Sequence, residues 1–179
     1  MNITIVGTGY VGLTLGAGLA NLGNMVTCLD IDEKKIEKLK QGAIPFYEPG
    51  LKNLVERNVR GQRLSFTTNK QEAIQSGEVI FIAVGTPSKK DQDGKFTEEP
   101  DLKYIEAAAK DIATYMKGYK LIVTKSTVPV GTAGKIKQII TETQQINATG
   151  TQHQFDVASN PEFLREGAAI KDFENPDRV

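Results

Sequence analysis

Ile3-Thr4-Ile5-Val6-Gly7-Thr8-Gly9-Tyr10-Val11-Gly12 is a β-branched apolar run that ends in three spaced glycines. Residues 13–22 follow directly and are helix-permissive and apolar enough to lie on a sheet. The stretch therefore predicts a strand, a glycine turn and a helix. Gly7 allows the tight turn, Gly9 lacks the Cβ that would hold a phosphate off the backbone, and Gly12 lets the helix lie close on the strand. A helix that starts this way presents its first N–H groups and the positive end of its dipole to an anion.

A lone G-x-G-x-x-G also arises from packing, so its surroundings decide what it means. Here a second strand, Met25-Val26-Thr27-Cys28-Leu29, ends at Asp30. That is about twenty residues beyond the turn, where a carboxylate can hold both hydroxyls of an adenosine ribose. Together the two features predict a dinucleotide site on Gly7, Gly9, Gly12 and Asp30. The Asp30 charge would repel a 2′-phosphate, which favours NAD over NADP. Lys35 is near enough in sequence to soften that preference, and otherwise reads as a solvated helix charge.

The 179 residues suffice for one domain with a substantial core and are short for two. Basic and acidic residues balance at 22 each, which points away from nucleic acid or a membrane surface and toward a small-molecule partner. The first strand starts at the N-terminus without a signal-like segment, and the apolar run at residues 79–84 is far too short to span a bilayer. A cytoplasmic location is the expectation. Cys28 is the single cysteine, so no internal disulfide forms, in keeping with a reducing compartment. The Asn147-Ala148-Thr149 glycosylation triplet is then a chance match.

Residues 33–41 carry Ile36 and Leu39 at helical spacing and predict a short surface helix that Gly42 ends. Pro45-Phe46-Tyr47-Glu48-Pro49-Gly50 breaks regular structure before a second helical pattern over residues 51–59. This insert exceeds a minimal crossover, and its residues leave open whether it packs on the sheet edge or works near a ligand. Residues 64–67 predict a strand, 69–75 a helix, and 78–84 a strand apolar enough to be covered on both faces. Thr86 follows at that strand's carboxyl end, where ligands of open α/β sheets collect. The polar stretch 88–100, with Asp93-Gly94, reads as a mobile or hairpin-like loop. Asp101 is expected to cap a helix running to about Lys117, with Ile105, Ala108, Ile112 and Met116 on one face.

Residues 120–124 and 155–159 predict two more strands around a helix over 132–143. Gly131-Thr132-Ala133-Gly134-Lys135 lacks the spacing of a phosphate-binding loop. His153, the single histidine, lies in a polar loop and reads as a surface residue. Glu162 and Glu166, four apart, would face one side of a helical turn, as a water-handling pair or as acidic charge at a helix start. About six strands alternating with helices predict an α/β fold, a Rossmann-like, doubly wound, mostly parallel sheet with helices on both faces. No metal site is expected.

Four stretches carry a resemblance that runs along the whole chain. Gly7 to Gly12, Tyr47-Glu48-Pro49-Gly50-Leu51, Lys125-Ser126-Thr127-Val128-Pro129-Val130-Gly131-Thr132 and Asn160-Pro161-Glu162-Phe163-Leu164-Arg165-Glu166-Gly167 resemble, in order, the UDP-glucose/GDP-mannose dehydrogenases. The resemblance implies oxidation of a sugar-nucleotide primary alcohol to a carboxylate, with two NAD reduced and water consumed. Gly167 and Pro176-Asp177-Arg178 favour UDP-glucose as the substrate, with GDP-mannose the alternative. Carried onto matching positions, Tyr10 and Val11 line the pyrophosphate turn, Asp30 and Lys35 meet the adenosine ribose, and Thr86 and Thr127 lie along the cofactor. Glu162 resembles a catalytic glutamate that, with Thr127, positions water to hydrolyse a covalent thioester. Glu166 resembles the glutamate beside the nicotinamide, and Glu162, Phe163, Leu164 and Arg165 resemble the loop that meets the substrate.

The family is understood to use a cysteine nucleophile, and Cys28 reads as a buried structural thiol on the adenosine side of the sheet. Residues 1–179 are therefore expected to be one NAD(P)-binding domain. The cysteine, the central helix of the family dimer and the carboxyl-terminal substrate domain would belong to a longer enzyme. The chain alone is expected to bind NAD weakly without turnover and to expose an apolar patch over residues 168–173. A stand-alone NAD-binding module is the competing reading, and a different Rossmann dehydrogenase is disfavoured by the lack of a plausible catalytic histidine.

Overall fold

A computed structural model describes residues 1–146 and 152–176. Asn147-Ala148-Thr149 and Asp177-Arg178 lie outside the described residues. The chain runs β1 (Asn2–Val6), α1 (Tyr10–Asn21), β2 (Met25–Leu29), α2 (Glu33–Lys40), α3 (Leu51–Arg60), β3 (Leu64–Thr67), α4 (Lys70–Ser76) and β4 (Val79–Ile82). It continues with β5 (Ser88–Lys90), β6 (Phe96–Pro100), α5 (Lys103–Tyr115), β7 (Lys120–Thr124), α6 (Thr132–Ile146), β8 (Phe155–Ser159) and α7 (Ala169–Glu174).

Six strands form one parallel sheet in the order β3-β2-β1-β4-β7-β8. The order reverses between β1 and β4, and the crevice at the carboxyl ends of strands flanking such a reversal is where ligands bind in this architecture. The turns after β1 and β4, and hence Gly7 and Thr86, open onto that crevice.

Parallel strands covered on both faces must be apolar throughout, and β4 with its neighbours meets that demand. Ile5, Ile80, Ile82 and Ile122 are all fully buried. On one face the strands pack with Leu13, Ile36, Leu39, Leu51 and Leu54 from α1, α2 and α3; on the other with Ile74, Ile105, Ile112 and Ile136 from α4, α5 and α6. Each such side chain contributes roughly 1.5–3 kcal/mol relative to exposure.

Several expectations needed revision. The first helix starts at Tyr10, immediately after Gly9, because nothing in the turn beyond Gly9 breaks helical backbone. Of the two forms expected for residues 88–100 the hairpin is the one present, β5 antiparallel to β6, and Gly94 supplies its left-handed position. Leu102 is the residue at the N-cap of α5, while Asp101 accepts the Lys103 N–H one step earlier. Residues 160–165 are irregular, so Glu162 and Glu166 do not share a helical turn. Asn160 precedes a proline, which disfavours helical backbone there, and Gly167 sits at φ +82°.

Nor do residues 168–173 form an open apolar patch. Ala169 is buried, Ile170 and Phe173 pack against the core, and the Phe173 ring lies where a Cβ on Gly18 would be, 2.4 Å from Cε1. The short helix α7 thus docks on α1.

Candidate functional site

The glycines of the turn divide into two kinds. Gly7 adopts φ +101° and donates its N–H to the Leu29 carbonyl at 2.8 Å. A Cβ on Gly7 would meet the Ala83 carbonyl oxygen at 2.6 Å, and one on Gly12 would meet the Gly7 carbonyl oxygen at 2.0 Å. Both glycines are required by backbone that approaches too closely for a side chain. Gly9 differs: a Cβ there would meet nothing within 4 Å. The space over Gly9 is open, as a pyrophosphate against the backbone requires.

The first bond of α1 runs from the Leu13 N–H to the Gly9 carbonyl at 3.0 Å, so the amides of Tyr10, Val11 and Gly12 precede the intrahelical ladder. No side chain caps Gly9 and no acidic residue lies in the first turn. This end of the helix therefore suits an anion.

Asp30 lies beside the turn and is wired to it. Its Oδ2 accepts from the Thr8 N–H at 2.9 Å, the Thr8 hydroxyl at 2.6 Å and Lys35 Nζ at 2.9 Å. Oδ1 accepts from the Asp32 N–H alone, which leaves lone-pair capacity on that oxygen for a ribose hydroxyl. Desolvation pushes this carboxyl up, but the Thr8 and Lys35 hydrogen bonds outweigh it and hold the pKa down to about 2. Asp30 is ionised at neutral pH. Lys35 is paired with it in a salt bridge rather than freely solvated, so the negative charge facing a ligand is partly offset.

Thr86 and Thr127 come together beside the reversal point, on the loops after β4 and β7. The Thr86 hydroxyl donates to the Thr127 carbonyl at 3.0 Å, linking the loop after β4 to the loop after β7. Ser126 reinforces this link by donating to the Val84 carbonyl at 2.7 Å. The segment after β8 lies alongside, because β7 and β8 pair through to Thr124 and Ser159. Lys125 Nζ bridges the two exits, donating to Asn160 Oδ1 at 3.1 Å and the Pro161 carbonyl at 3.2 Å. Burial lowers the Lys125 pKa, opposed by the charge of Glu162. Thr127 and Glu162 thus leave neighbouring strands at one edge.

Within that segment Glu162 accepts the Leu164 N–H, Phe163 is half-exposed and Glu166 is exposed. Arg165 turns toward α7: Nε donates to Asp172 Oδ2 at 3.0 Å and Nη2 to Oδ1 at 2.6 Å. This pairing holds the Asp172 carboxyl down at about 2. Leu164, Phe81, Leu15 and Phe173 line a cleft of about 430 Å³ with Lys125 and Asn160 at its polar side.

Glu48 carries no periodic signal, and its role is not apparent from the residues alone. It is buried at 4% exposure, and its carboxylate accepts from the Tyr10 hydroxyl at 2.6 Å and from the Gly167 and Ala169 amides at 2.8 Å each. Phe46 lies against the Tyr10 ring, with centroids 5.1 Å apart. The insert therefore touches both the glycine-turn helix and the segment after β8. The Pro49-Gly50 turn, with Gly50 at φ +82°, follows Glu48 and two aromatics precede it, but neither names its distant partners.

Two residues stand apart. Cys28 is fully buried, and burial with the nearby Asp30 charge pushes its thiol up to about 12, far from a nucleophile's range. His153 precedes β8 and so lies at the opposite edge of the sheet, accepting from the Gly118 N–H. Among the described residues no group of His, Cys, Asp and Glu could hold a metal, and no helix is long and apolar enough to cross a membrane.

Sheet order, glycine turn and the ionised aspartate at the end of β2 define a Rossmann-like dinucleotide-binding domain. Residues 1–179 match the model of the UDP-glucose/GDP-mannose dehydrogenase family, NAD binding domain, and the chain belongs to that family. NAD is its cofactor. Among similar proteins is the UDP-glucose 6-dehydrogenase TuaD of Bacillus subtilis (strain 168), 54% identical over 99% of this chain and 36% of its own length. A solved UDP-glucose dehydrogenase from Pyrobaculum islandicum superposes with a TM-score of 0.87 at 38% identity, over 99% of this chain and 39% of that one. A GDP-mannose dehydrogenase from Pseudomonas aeruginosa gives 0.86 at 36% identity, over 98% and 39% respectively. The chain thus spans well under half the length of these relatives.

Proposed function

We propose that this chain is the NAD-binding part of an enzyme that oxidises UDP-glucose to UDP-glucuronate. The observation that carries the reading is the open backbone over Gly9 beside an ionised Asp30 with one oxygen to spare. The amides of Tyr10, Val11 and Gly12 hold the pyrophosphate, Asp30 Oδ1 accepts from the ribose with Lys35 behind it, and Thr86 and Thr127 line the path toward the nicotinamide. NAD, when bound, supplies the hydride acceptor. One alcohol carbon loses two hydrides and gains one water oxygen, so two NAD are reduced for each carboxylate formed.

Thr127 and Glu162, on adjacent strand exits, hold the attacking water, and Glu162 takes its proton. Glu166 faces the nicotinamide. Glu162, Phe163, Leu164 and Arg165 meet the sugar nucleotide, Arg165 by exchanging its Asp172 partner for the ligand. A cysteine outside residues 1–179 supplies the nucleophile, because Cys28 is buried with a raised pKa. This domain accordingly needs a second one to close over the substrate, and the whole enzyme works as a dimer in the cytoplasm.

The similarity to a GDP-mannose dehydrogenase at nearly the same TM-score supports a second reading, with GDP-mannose as the sugar nucleotide. The test follows NADH absorbance with the purified chain and with the complete gene product, each given UDP-glucose or GDP-mannose. The chain alone gives no NADH, and the complete product prefers UDP-glucose. Turnover by the chain would refute the divided site, and preference for GDP-mannose would replace the substrate.

A further inference from the structure

A buried carboxylate is costly unless its oxygens are met by donors, and where those donors come from tells what it holds together. The donors to Glu48 are the Tyr10 hydroxyl and the amides of Gly167 and Ala169, joined by the Ile170 amide, and they come from two parts of the chain far from it in sequence. Tyr10 is the first residue of α1, directly beyond the glycine turn. Gly167 and Ala169 close the segment that bears Glu162 and Glu166, and the left-handed backbone at Gly167, φ +82°, lies between their two amides. The Tyr10 hydroxyl also lies 3.3 Å from the Arg165 carbonyl. Burial, the Glu48 hydrogen bond and the Glu48 and Glu166 charges all raise the Tyr10 pKa, so this phenol stays protonated and remains a donor.

We propose that Glu48 is a positioning residue that couples occupation of the glycine turn to the geometry of residues 160–169. The coupling runs through one continuous set of bonds. An anion seated on the first-turn amides fixes the Tyr10 backbone, the Tyr10 hydroxyl fixes Oε2 of Glu48, and the two carboxylate oxygens fix the Gly167 and Ala169 amides. A cofactor on one strand exit thereby orders the segment on another exit before substrate arrives. The inference rests on the reading that this turn binds NAD, and it adds a residue outside both binding loops.

Amide hydrogen exchange with and without NAD tests it in the wild-type chain, E48Q and Y10F. In the wild type, NAD slows exchange at the turn amides and also at Gly167 and Ala169. In E48Q the Gly167 and Ala169 amides exchange about tenfold faster or more without ligand, since a charge-assisted acceptor is lost. NAD no longer slows them, although it still slows the turn. Y10F retains the Phe46 contact and the amide bonds to Glu48, so it keeps the unliganded protection and loses only the NAD-dependent increment. A merely structural role would move unliganded exchange alone and leave that increment intact in Y10F. Equal NAD-dependent slowing at Gly167 in all three proteins overturns the coupling. No slowing at the turn of the wild type overturns the binding reading instead. Should E48Q fail to fold, Y10F decides.

Discussion

The glycine turn after β1 and the segment after β8 are both exits from the carboxyl edge of one sheet, yet they are held by opposite means. The turn is built by its own residues: Gly7 and Gly12 fit against backbone within a few positions or across one strand pair, and Asp30 reaches back through Thr8. The segment has little regular structure and is fixed from outside by Lys125, Asp172 and Glu48. One is a self-contained cradle for a cofactor common to many reactions. The other is a loop whose shape depends on its neighbours, which suits the substrate-facing and ligand-coupled roles proposed for it.

The cradle breaks most sharply at Gly12. In G12A the new Cβ would collide with the Gly7 carbonyl, so the expected loss is roughly 3 kcal/mol or more, a fall in melting midpoint of about 10 °C. Thermal unfolding with circular dichroism checks it. Gly9 separates ligand from fold within the same turn. G9A meets no protein atom, so its midpoint should match the wild type, while NAD affinity falls about tenfold or more as the methyl occupies the pyrophosphate's place. Equal losses of stability in the two variants would erase the distinction between the glycines.

Asp30 gives a smaller effect that depends on pH. Its folded pKa, about 2, lies below the ordinary value of 3.8, so the stability it contributes is present above the ordinary value and disappears as pH falls through the folded one. Denaturant unfolding of wild type and D30N should differ by about 1–2 kcal/mol at pH 6, after allowance for screening, and converge toward pH 2. At the other exit, D172N leaves the Arg165 guanidinium and amide less well held. The expected result is faster exchange at the Arg165 amide with a midpoint close to wild type, since the pair lies at the surface.

The same contrast explains what was legible in the sequence. Met25–Leu29, Leu64–Thr67, Lys120–Thr124 and Phe155–Ser159 appear as strands because apolar runs bounded by turn residues carry their own signal. Gly7, Gly9, Gly12 and Asp30 are legible because their job is local and their spacing follows from backbone geometry. Glu48 was illegible as a clamp: its partners lie 38, 119 and 121 residues away, and an irregular insert has no period to read. The four-residue spacing of Glu162 and Glu166 misled for a related reason. Spacing signifies a shared face only where the backbone is helical, and residues 160–165 are irregular.

The proposed function makes this edge of the sheet an NAD cradle that lacks a complete catalytic centre. Calorimetric titration of NAD and NADP into the chain, with wild type and G9A side by side, tests it most directly. One saturable NAD site in the wild type, NADP weaker by about tenfold, and loss of the NAD signal in a fully folded G9A is the predicted result. NAD binding that survives unchanged in G9A, or NADP binding as tightly as NAD, would contradict it.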